Sequence, residues 1–254
     1  MGKTLSVAII TKNEEANLPR TLESVRWANE IVVVDSGSTD GTVEIVWSFG
    51  AKLIREEWHG FGKQKNLAIE QCASEWVLSL DADEEVSEAL AQEITQLLEE
   101  TQELDAYFVP RRNLFLGRWM RHGGYYPDPK LRLFRKGAAW FEERSVHETL
   151  QHSGLTRTLH GDLIHHAYPT LESYLEHMNR YSTLGADQAA ARKKTSASWP
   201  AFLRNVLLNP AATFIYNYVL RLGFLDGREG LLLHLYHSAY VSWKYAKAWQ
   251  AAKS

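Results

Sequence analysis

Two aspartates one residue apart, Asp81 and Asp83, follow a short apolar run at 76–80. Such a run is typical of a buried central strand, and in open α/β sheets ligands collect at the carboxyl ends of the strands. Carboxylates this close repel each other unless a cation lies nearby, and hard divalent cations are often held by one or two carboxylates together with substrate phosphates. The pair would also suit an acidic turn before the helix expected near Ser87, where negative charge favours the helix N-terminus. This stretch alone leaves both interpretations open.

The residues around this pair predict an alternation of strands and helices. Apolar, β-rich runs predict strands at 5–10, 31–34, 52–57 and 76–80, and later at 106–110 and 130–135. Repeated βα units imply a parallel sheet with right-handed crossovers, so the polar loops that follow the first strands should share one edge of the sheet. These loops are 11–15, 35–42 and 81–85. The pattern predicts a binding cleft at that edge.

The composition of the loops narrows what the cleft binds. The first strand is followed by neither G-x-G-x-x-G nor a Walker A pattern, so a dinucleotide site of the Rossmann type is not expected. Asp35 could accept a hydrogen bond from a base or a ribose hydroxyl, or it could cap the turn that Gly37 permits. Lys63 and Lys65, in GFGKQKN, could neutralise a phosphate, although lysines near the start of a helix are more commonly solvated.

Four segments carry a family resemblance, namely VAIITKNEE, IVVVDSGSTDGT, GFGKQKNLAI and WVLSLDADEE, in this order. Together they resemble the nucleotide-sugar half of a family 2 glycosyltransferase, over residues 4–100. The resemblance implies an α/β chain with the GT-A fold, in which helices flank a Rossmann-like mixed sheet and a helical appendage follows at the C-terminal end. It also implies a nucleotide-sugar donor and a divalent metal cofactor, Mg²⁺ or Mn²⁺.

The same resemblance assigns roles to residues at the predicted sheet edge. Lys65 stands where the family often carries a basic residue, and Asp81 is implied to lie near the ribose and the metal. Asp83 is implied as the direct ligand of the cation that bridges the two phosphates. The residues implied to surround the base and ribose are Thr11, Asn13, Glu14 and Asp35.

The second half of the chain supplies candidates for the acceptor side. An acceptor hydroxyl must lose its proton as it attacks the sugar, so a general base is needed. Glu148 is the candidate, with His147 and Asp128 behind it, since the family carries an acidic base where VHE stands in this chain. His165 resembles a later histidine that helps to hold the metal in many GT-A enzymes, and the adjacent His166 is the alternative.

The C-terminal stretch differs from the rest of the chain in charge. Residues 198–254 carry six basic and two acidic residues, whereas the residues before them are acidic overall. The aromatic-rich segments at 199–222 and 230–249 lack the run of about 20 apolar residues that crosses a bilayer. Amphipathic helices that carry tryptophan and basic residues lie in the membrane interface instead. Packing against the catalytic domain or a second subunit is the alternative for these helices.

The domain organisation follows from these patterns. We expect a GT-A catalytic domain at 1–168, with a nucleotide-sugar half at 1–100 and an acceptor half at 101–168. A helical, membrane-associating region is expected at 169–254. The single cysteine, Cys72, suits a reducing compartment, and the apolar run near the start is too short for a secretory signal.

With its tail included, the whole chain resembles bacterial glycosyltransferases of the lipopolysaccharide inner core. This implies inverting transfer of a hexose, glucose from UDP-glucose, to a heptose of a glycolipid acceptor. It also implies a cytoplasmic protein held peripherally on the inner face of the cytoplasmic membrane. No nucleic acid is expected among the partners, and the oligomeric state stays open.

Several other functions remain possible at this point. Another glycolipid or a polysaccharide would serve as acceptor for related transferases. Phosphohydrolases of the haloacid-dehalogenase type also end an apolar strand in D-x-D, but normally on the first strand rather than the fourth. A sugar-1-phosphate nucleotidyltransferase needs a glycine-rich first loop, which TKNEEANLP is not. A non-catalytic module would bind the nucleotide sugar without turning it over.

Overall fold

The computed structural model describes residues 3–100, 104–142, 150–192 and 196–253. The chain divides into two compact units, the first formed by 1–111 and 128–166 and the second by 112–127 and 167–254. The sequence patterns did not anticipate that 112–127 groups with the C-terminal helices. This segment is held by distant residues, since the backbone N–H and the ring Nδ1 of His122 both contact the carboxylate of Asp226 at 2.8 Å.

The strands of the described residues are short and follow one another along the first two thirds of the chain. In order, they are β1 (Leu5–Thr11), β2 (Glu30–Asp35), β3 (Lys52–Arg55), β4 (Trp76–Asp81), β5 (Glu84–Val86), β6 (Ala106–Val109), β7 (Arg111–Phe115), β8 (Arg118–Trp119), β9 (Lys130–Arg135), β10 (Ala139–Phe141), β11 (Leu150–His152), β12 (Thr156–Thr158) and β13 (Leu163–Tyr168).

The helices alternate with the first strands and then fill the C-terminal part. In order, they are α1 (Leu18–Ser24), α2 (Thr42–Ser48), α3 (Phe61–Glu70), α4 (Glu88–Glu99), α5 (Leu171–Ala191), α6 (Trp199–Leu203), α7 (Asn209–Phe214) and α8 (Gly227–Ala251). π-helical turns at Arg204–Leu208 and Ile215–Leu220 join α6 and α7 into one unbroken helical run over 199–220. A short 3-10 helix at Gly223–Asp226 precedes α8.

A seven-stranded sheet organises the first unit, with the strand order β12-β6-β9-β4-β1-β2-β3. β1 pairs in parallel with β2 and β4, and β2 pairs in parallel with β3. The predicted parallel pairing of the first four strands is therefore confirmed. β9 runs antiparallel to both β4 and β6, which makes the sheet mixed.

Alternation along β1 divides the core of this unit between the two faces of the sheet. All seven residues of β1 are buried. Val7 and Ile9 belong to one apolar cluster, which also includes the buried residues of α1 and α4. Ala8 and Ile10 belong to a second cluster, together with Ala68 of α3. Successive strand residues face opposite sides of a sheet, so a strand buried at every position needs cover on both.

The acidic stretch after β4 leads into two elements. α4 begins at Glu88, as expected from the sequence, and Ser87 caps it, because its Oγ accepts a hydrogen bond from the backbone N–H of Leu90 at 3.2 Å. Between Asp83 and this cap lies β5, which the sequence patterns did not predict. β5 pairs antiparallel with β13 and sets Glu84 opposite His165.

α5 and α8 provide most of the core of the second unit. Its buried apolar cluster also includes Phe115, whose ring meets the ring of Tyr174 edge-on with centroids 5.1 Å apart. Met178 of α5 and Leu233 of α8 lie in the same cluster. Across the part of the chain that the structure describes, no helix combines the length and apolarity needed to cross a membrane.

Candidate active site

Three strands of the sheet end side by side at the edge predicted to form a cleft. Thr11, Asp35 and Asp81 are the last residues of β1, β2 and β4. In the strand register Thr11 lies opposite Asp35, and Ile10 lies opposite Asp81. The prediction that the three polar loops share one edge is confirmed.

The first two of these loops are hydrogen-bonded to each other. The backbone N–H of Asn13 donates to Ser38 Oγ at 2.8 Å, and Asn13 Oδ1 accepts from the N–H of Thr39 at 2.8 Å. The N–H of Glu14 donates to Thr42 Oγ1 at the same distance. Asn13 has a φ of +56°, a left-handed conformation that asparagine tolerates better than most residues. The conformation of this edge is therefore fixed by the loops themselves.

The side chains of Asp35 and Thr11 differ in whether their polar groups have hydrogen-bond partners within the protein. The buried Asp35 carboxylate accepts hydrogen bonds from the N–H groups of Gly37 and Ser38 at 3.0 Å, and from the Ser38 hydroxyl. The turn-capping role of Asp35 is thus present in the structure. Thr11 Oγ1 is also buried, but within the described residues it has no hydrogen-bond partner. Buried polar groups normally have one, so this hydroxyl is suited to a bound ligand.

Asp81 lies between two cationic side chains. Lys65 Nζ lies 2.7 Å from Asp81 Oδ1, and an Arg132 guanidinium nitrogen lies 2.6 Å from Oδ2. Burial alone would raise the pKa of Asp81, but the charges of Arg132 and Lys65 outweigh it and hold this pKa well below the usual value of a carboxyl. Asp81 is therefore ionised with both oxygens already engaged.

The turn between the two aspartates is held from both sides. The Thr21 hydroxyl of α1 donates to the carbonyl of Ala82 at 2.7 Å. The backbone N–H of Asp81 donates to Glu84 Oε2 at 3.0 Å. These contacts fix the backbone that carries Asp83.

The ion pairs continue from Asp81 into the interior. Arg132 also donates to Glu84 Oε1 at 2.6 Å, and Glu84 is completely buried. Arg111 contacts Glu84 at 3.2 Å and Asp128 at 2.7 Å. Charges of opposite sign therefore alternate along one chain of contacts that starts at Lys65.

Asp128 lies at the far end of this chain of contacts, between Arg111 and Lys130. Lys130 Nζ lies 2.9 Å from Asp128 Oδ1. Burial opposes ionisation of Asp128, but the two cations lower its pKa to about 2.

The other predicted site residues are placed differently. Glu148, the first candidate for a general base, and His147 lie outside the described residues. Lys63 is exposed near the start of α3.

Asp83 has a different environment from Asp81. His165 Nε2 lies 3.3 Å from Asp83 Oδ2, whereas the ring of His166 contacts Glu85 at 2.9 Å. The structure thus brings the ring of His165, and not that of His166, to the carboxylate of the second aspartate. Burial would raise the pKa of Asp83, but the hydrogen bond and charge of His165 lower it.

These side chains fit a divalent cation that shares its ligands with a substrate. Within the described ranges no group of three or more His, Cys, Asp or Glu side chains could hold a metal alone. Asp83 and His165 offer one oxygen and one nitrogen, and phosphate oxygens would complete the coordination. The pKa of Glu14 is raised, chiefly because its side chain is buried and also because the carboxylate of Asp83 lies nearby. This concentration of negative charge favours a bound cation.

Sequence reasoning did not place four members of the ion-pair chain there, namely Glu84, Arg111, Lys130 and Arg132. Arg132 stands inside the apolar run of KLRLFR, where Leu131 and Leu133 on either side are buried as well. A charge within a buried strand needs a partner of opposite sign. That placement was the available signal, but it does not identify the partner.

The chain is similar to known glycosyltransferases over most of its length. The profile of Glycosyl transferase family 2 matches residues 6–160. The lipopolysaccharide core biosynthesis glycosyltransferase LpsC of Rhizobium meliloti is 34% identical over 88% of this chain and 82% of its own length. An uncharacterized glycosyltransferase of Rickettsia typhi is 31% identical over 91% of this chain and 81% of its own length.

A solved structure extends the comparison to the fold. Residues 1–349 of TarS from S. aureus, crystallised in complex with UDP, superpose with a TM-score of 0.50 at 17% sequence identity. The match covers 99% of this chain and 92% of that one. At this level of identity the likeness concerns the fold alone.

The replacement Arg132→Met tests the ion-pair chain. Asp81 and Glu84 would lose their shared partner inside the protein, so the free energy of unfolding should fall by about 3–5 kcal/mol in denaturant titrations. Arg135→Met on the same strand is the control, because its contacts with Glu75 and Asp105 are partly exposed and such pairs contribute about 1 kcal/mol or less. Equal, small losses in the two variants would contradict a structural role for Arg132.

Proposed function

The chain belongs to glycosyl transferase family 2, and we propose that it transfers glucose from UDP-glucose to a heptose of the lipopolysaccharide inner core. The edge of the sheet where Asp81 and Asp83 meet the two joined loops carries this proposal, since it offers polar groups for a nucleotide and acids for a cation. The name of the R. meliloti relative, a lipopolysaccharide core enzyme, supports the acceptor class. The UDP complex of TarS supports a uridine nucleotide.

On this proposal the first and second loops hold the nucleoside. Thr11, with its free buried hydroxyl, and the exposed Asn13 contact the base or ribose, together with Glu14 and Asp35. Asp81 lies beside the ribose and is held in place by Lys65 and Arg132. Lys63 and Lys65 of α3 bring positive charge toward the phosphates.

Asp83 and His165 would hold Mg²⁺ or Mn²⁺ together with the donor phosphates. When bound, the cation offsets the negative charge that the diphosphate gains as it leaves. The near approach of His165 to Asp83 supports this assignment. Nitrogen and oxygen ligands together suit Mn²⁺ better than Mg²⁺, which prefers oxygen.

Glu148 is proposed as the general base that takes the proton of the attacking acceptor hydroxyl. Asp128 is the weaker candidate, because a base works best with a pKa near the working pH and Arg111 and Lys130 hold the pKa of Asp128 at about 2. With no enzyme nucleophile, a single displacement inverts the configuration at the anomeric carbon. An α-linked donor should therefore give a β-linked product.

The proposed acceptor is a glycolipid, and this sets the expected place of the enzyme. A heptose of the growing core is anchored in a bilayer, so the transferase should work as a peripheral protein on the inner face of the cytoplasmic membrane. In this scheme residues 1–100 bind the donor, 101–168 face the acceptor and 169–254 meet the membrane.

A panel of UDP, GDP and dTDP sugars tests the reaction. With Mn²⁺ or Mg²⁺, UDP-glucose should be consumed fastest and should yield UDP and a β-linked glucosyl heptose on a purified core acceptor. Turnover should stop in excess EDTA. Donor binding without turnover would indicate a nucleotide-sugar-binding module, and phosphate release from simple sugar phosphates would indicate a phosphohydrolase.

Asp83→Ala should abolish both glucosyl transfer and the metal-dependent part of UDP binding, because the cation loses its protein carboxylate. The fold should persist, since the ion pairs of Asp81 do not involve Asp83. Titration calorimetry with UDP, with and without Mn²⁺, separates binding from turnover. Asp105→Asn, which alters a half-buried carboxylate beside Arg135 and away from the site, is the control and should behave as the wild type. Wild-type turnover by Asp83→Ala would refute the assignment.

Glu148→Gln should lower kcat by about 10²–10⁴-fold while the affinity for UDP-glucose stays unchanged, because glutamine keeps the shape but loses the basicity. Rapid-quench measurement of a single turnover reports the chemical step directly. Asp128→Asn is the comparison variant. A wild-type rate in Glu148→Gln, with loss of rate in Asp128→Asn, would assign the base to Asp128.

A further inference from the structure

The helical run over 199–220 exposes an apolar face to its surroundings. Most of the large apolar side chains that are exposed in the described residues lie between 199 and 235. Along the run, exposed positions recur at intervals of four residues. We call their apolar members the outward face, which consists of Leu203, Leu207, Leu208, Ala211, Ala212, Ile215, Val219 and Leu220.

The opposite side of the same helical run mixes polar and aromatic residues. Asn205 is buried, and its side-chain amide donates to Ser196 Oγ at 2.9 Å. Asn209 donates to Asn205 Oδ1 at 3.1 Å. The ring centroid of Phe202 lies 5.1 Å from that of Trp249 in α8. A surface helix of a protein in water turns its polar side outward, whereas this run turns its asparagines inward and exposes a mostly aliphatic side.

Contacts with α8 fix that arrangement. Pro210 has no backbone N–H, so the carbonyl of Val206 four residues earlier lacks its usual helical donor. Ser242 of α8 supplies one, with its hydroxyl 2.9 Å from that carbonyl. Ser238 donates to the carbonyl of Pro210 at 2.8 Å. Polar and small residues at the helix contact, with aliphatic residues outside, are typical of helices packed in lipid.

The charges at the outward face indicate what covers it. No acidic residue occurs between 199 and 225, and exposed arginines stand near its two ends, at Arg204 and Arg221. If two copies of this helical run paired in antiparallel fashion about a two-fold axis between residues 212 and 213, Arg204 of each would approach Arg221 of the other, with no carboxylate of the run to offset the repulsion. Anionic lipid headgroups around an apolar layer offset both arginines.

We infer that the outward face inserts into the boundary between headgroups and acyl chains of a lipid bilayer, with the helical run parallel to the membrane plane. At about 1.5 Å per residue the run is about 33 Å long, and interfacial helices lie with their apolar side buried in this boundary. The inference rests on the proposed function, since it supplies the membrane contact that a glycolipid acceptor requires.

Insertion of the outward face is a different mode of membrane binding from electrostatic attraction by the basic residues of the tail. Lys247 is turned toward α5, where its Nζ contacts Asn179 Oδ1 and Ser182 Oγ at 2.7 Å. Lys244 lies against the rings of Tyr240 and Tyr245. These two lysines are engaged within the unit, so the positive charge of the tail is less available to a membrane than its composition suggests.

The full-length double variant Leu208→Gln/Leu220→Gln tests the inference, because these side chains are 64% and 68% exposed and their loss leaves the core intact. Flotation with vesicles of phosphatidylcholine and phosphatidylglycerol, without donor or acceptor, gives the partition coefficient. We expect the double variant to bind at least about tenfold more weakly than the wild type. Trp47→Gln/Leu155→Gln removes equally exposed apolar groups elsewhere, at 57% and 70%, and should bind like the wild type.

Salt and self-association complete the test. Wild-type binding should weaken in high salt as the attraction of the two arginines is screened, but it should not disappear. Unchanged flotation of Leu208→Gln/Leu220→Gln, or complete release of the wild type by salt, would overturn the inference. The inference would also be overturned if the wild type did not bind vesicles but formed dimers that the double variant does not form. UDP-glucose turnover is assayed separately. The vesicle-binding result therefore keeps its meaning even if the proposed reaction is not observed.

Discussion

The guanidinium of Arg132, held between Asp81 and Glu84 inside the first unit, is the contact on which the candidate site depends. Bringing these charges out of water is costly, and only close, hydrogen-bonded partners of opposite sign offset the loss of hydration. Positive and negative side chains therefore alternate along the chain of ion pairs. Lys65, Arg111 and Lys130 extend this chain beyond Arg132 and its two partners. Removing any inner member leaves a buried charge without its counterpart, so the strands that carry them must keep their register.

This alternation explains how two aspartates of one short motif acquire different properties. Asp81 is neutralised by the side chains around it and suits the positioning of a neutral group such as a sugar ring. Asp83 lies outside the series of ion pairs, with a histidine as its close partner. Its charge is therefore better available to a ligand than that of Asp81. The residue types are identical, and only the surrounding charges separate their roles.

Much of this arrangement could be predicted from the sequence. The βα alternation, the shared edge of three polar loops and the start of a helix near Ser87 follow from local patterns, because each depends on neighbours in the chain. Arg132 and the segment 112–127 could not be predicted in this way, because their partners lie 48 or more positions away. The mostly aliphatic exposed side of residues 199–220 could not be predicted either, since composition shows that a helix is amphipathic but not which side faces inward. The sequence predicted a membrane contact through amphipathic helices that carry aromatic and basic residues, and the inferred contact is mainly aliphatic.

The hydrogen bonds between the first two loops have a thermodynamic consequence for ligand capture. Ordering a backbone residue costs about 1–2 kcal/mol, and a loop that becomes ordered only on association subtracts this cost from its affinity. Here Asn13, Glu14 and their partners at 38–42 are already ordered by contacts within the chain. A nucleotide that binds at these loops, as proposed, would lose mainly its own freedom of motion. Selectivity would then arise from shape, because loops that are already ordered adapt little to a base of the wrong size.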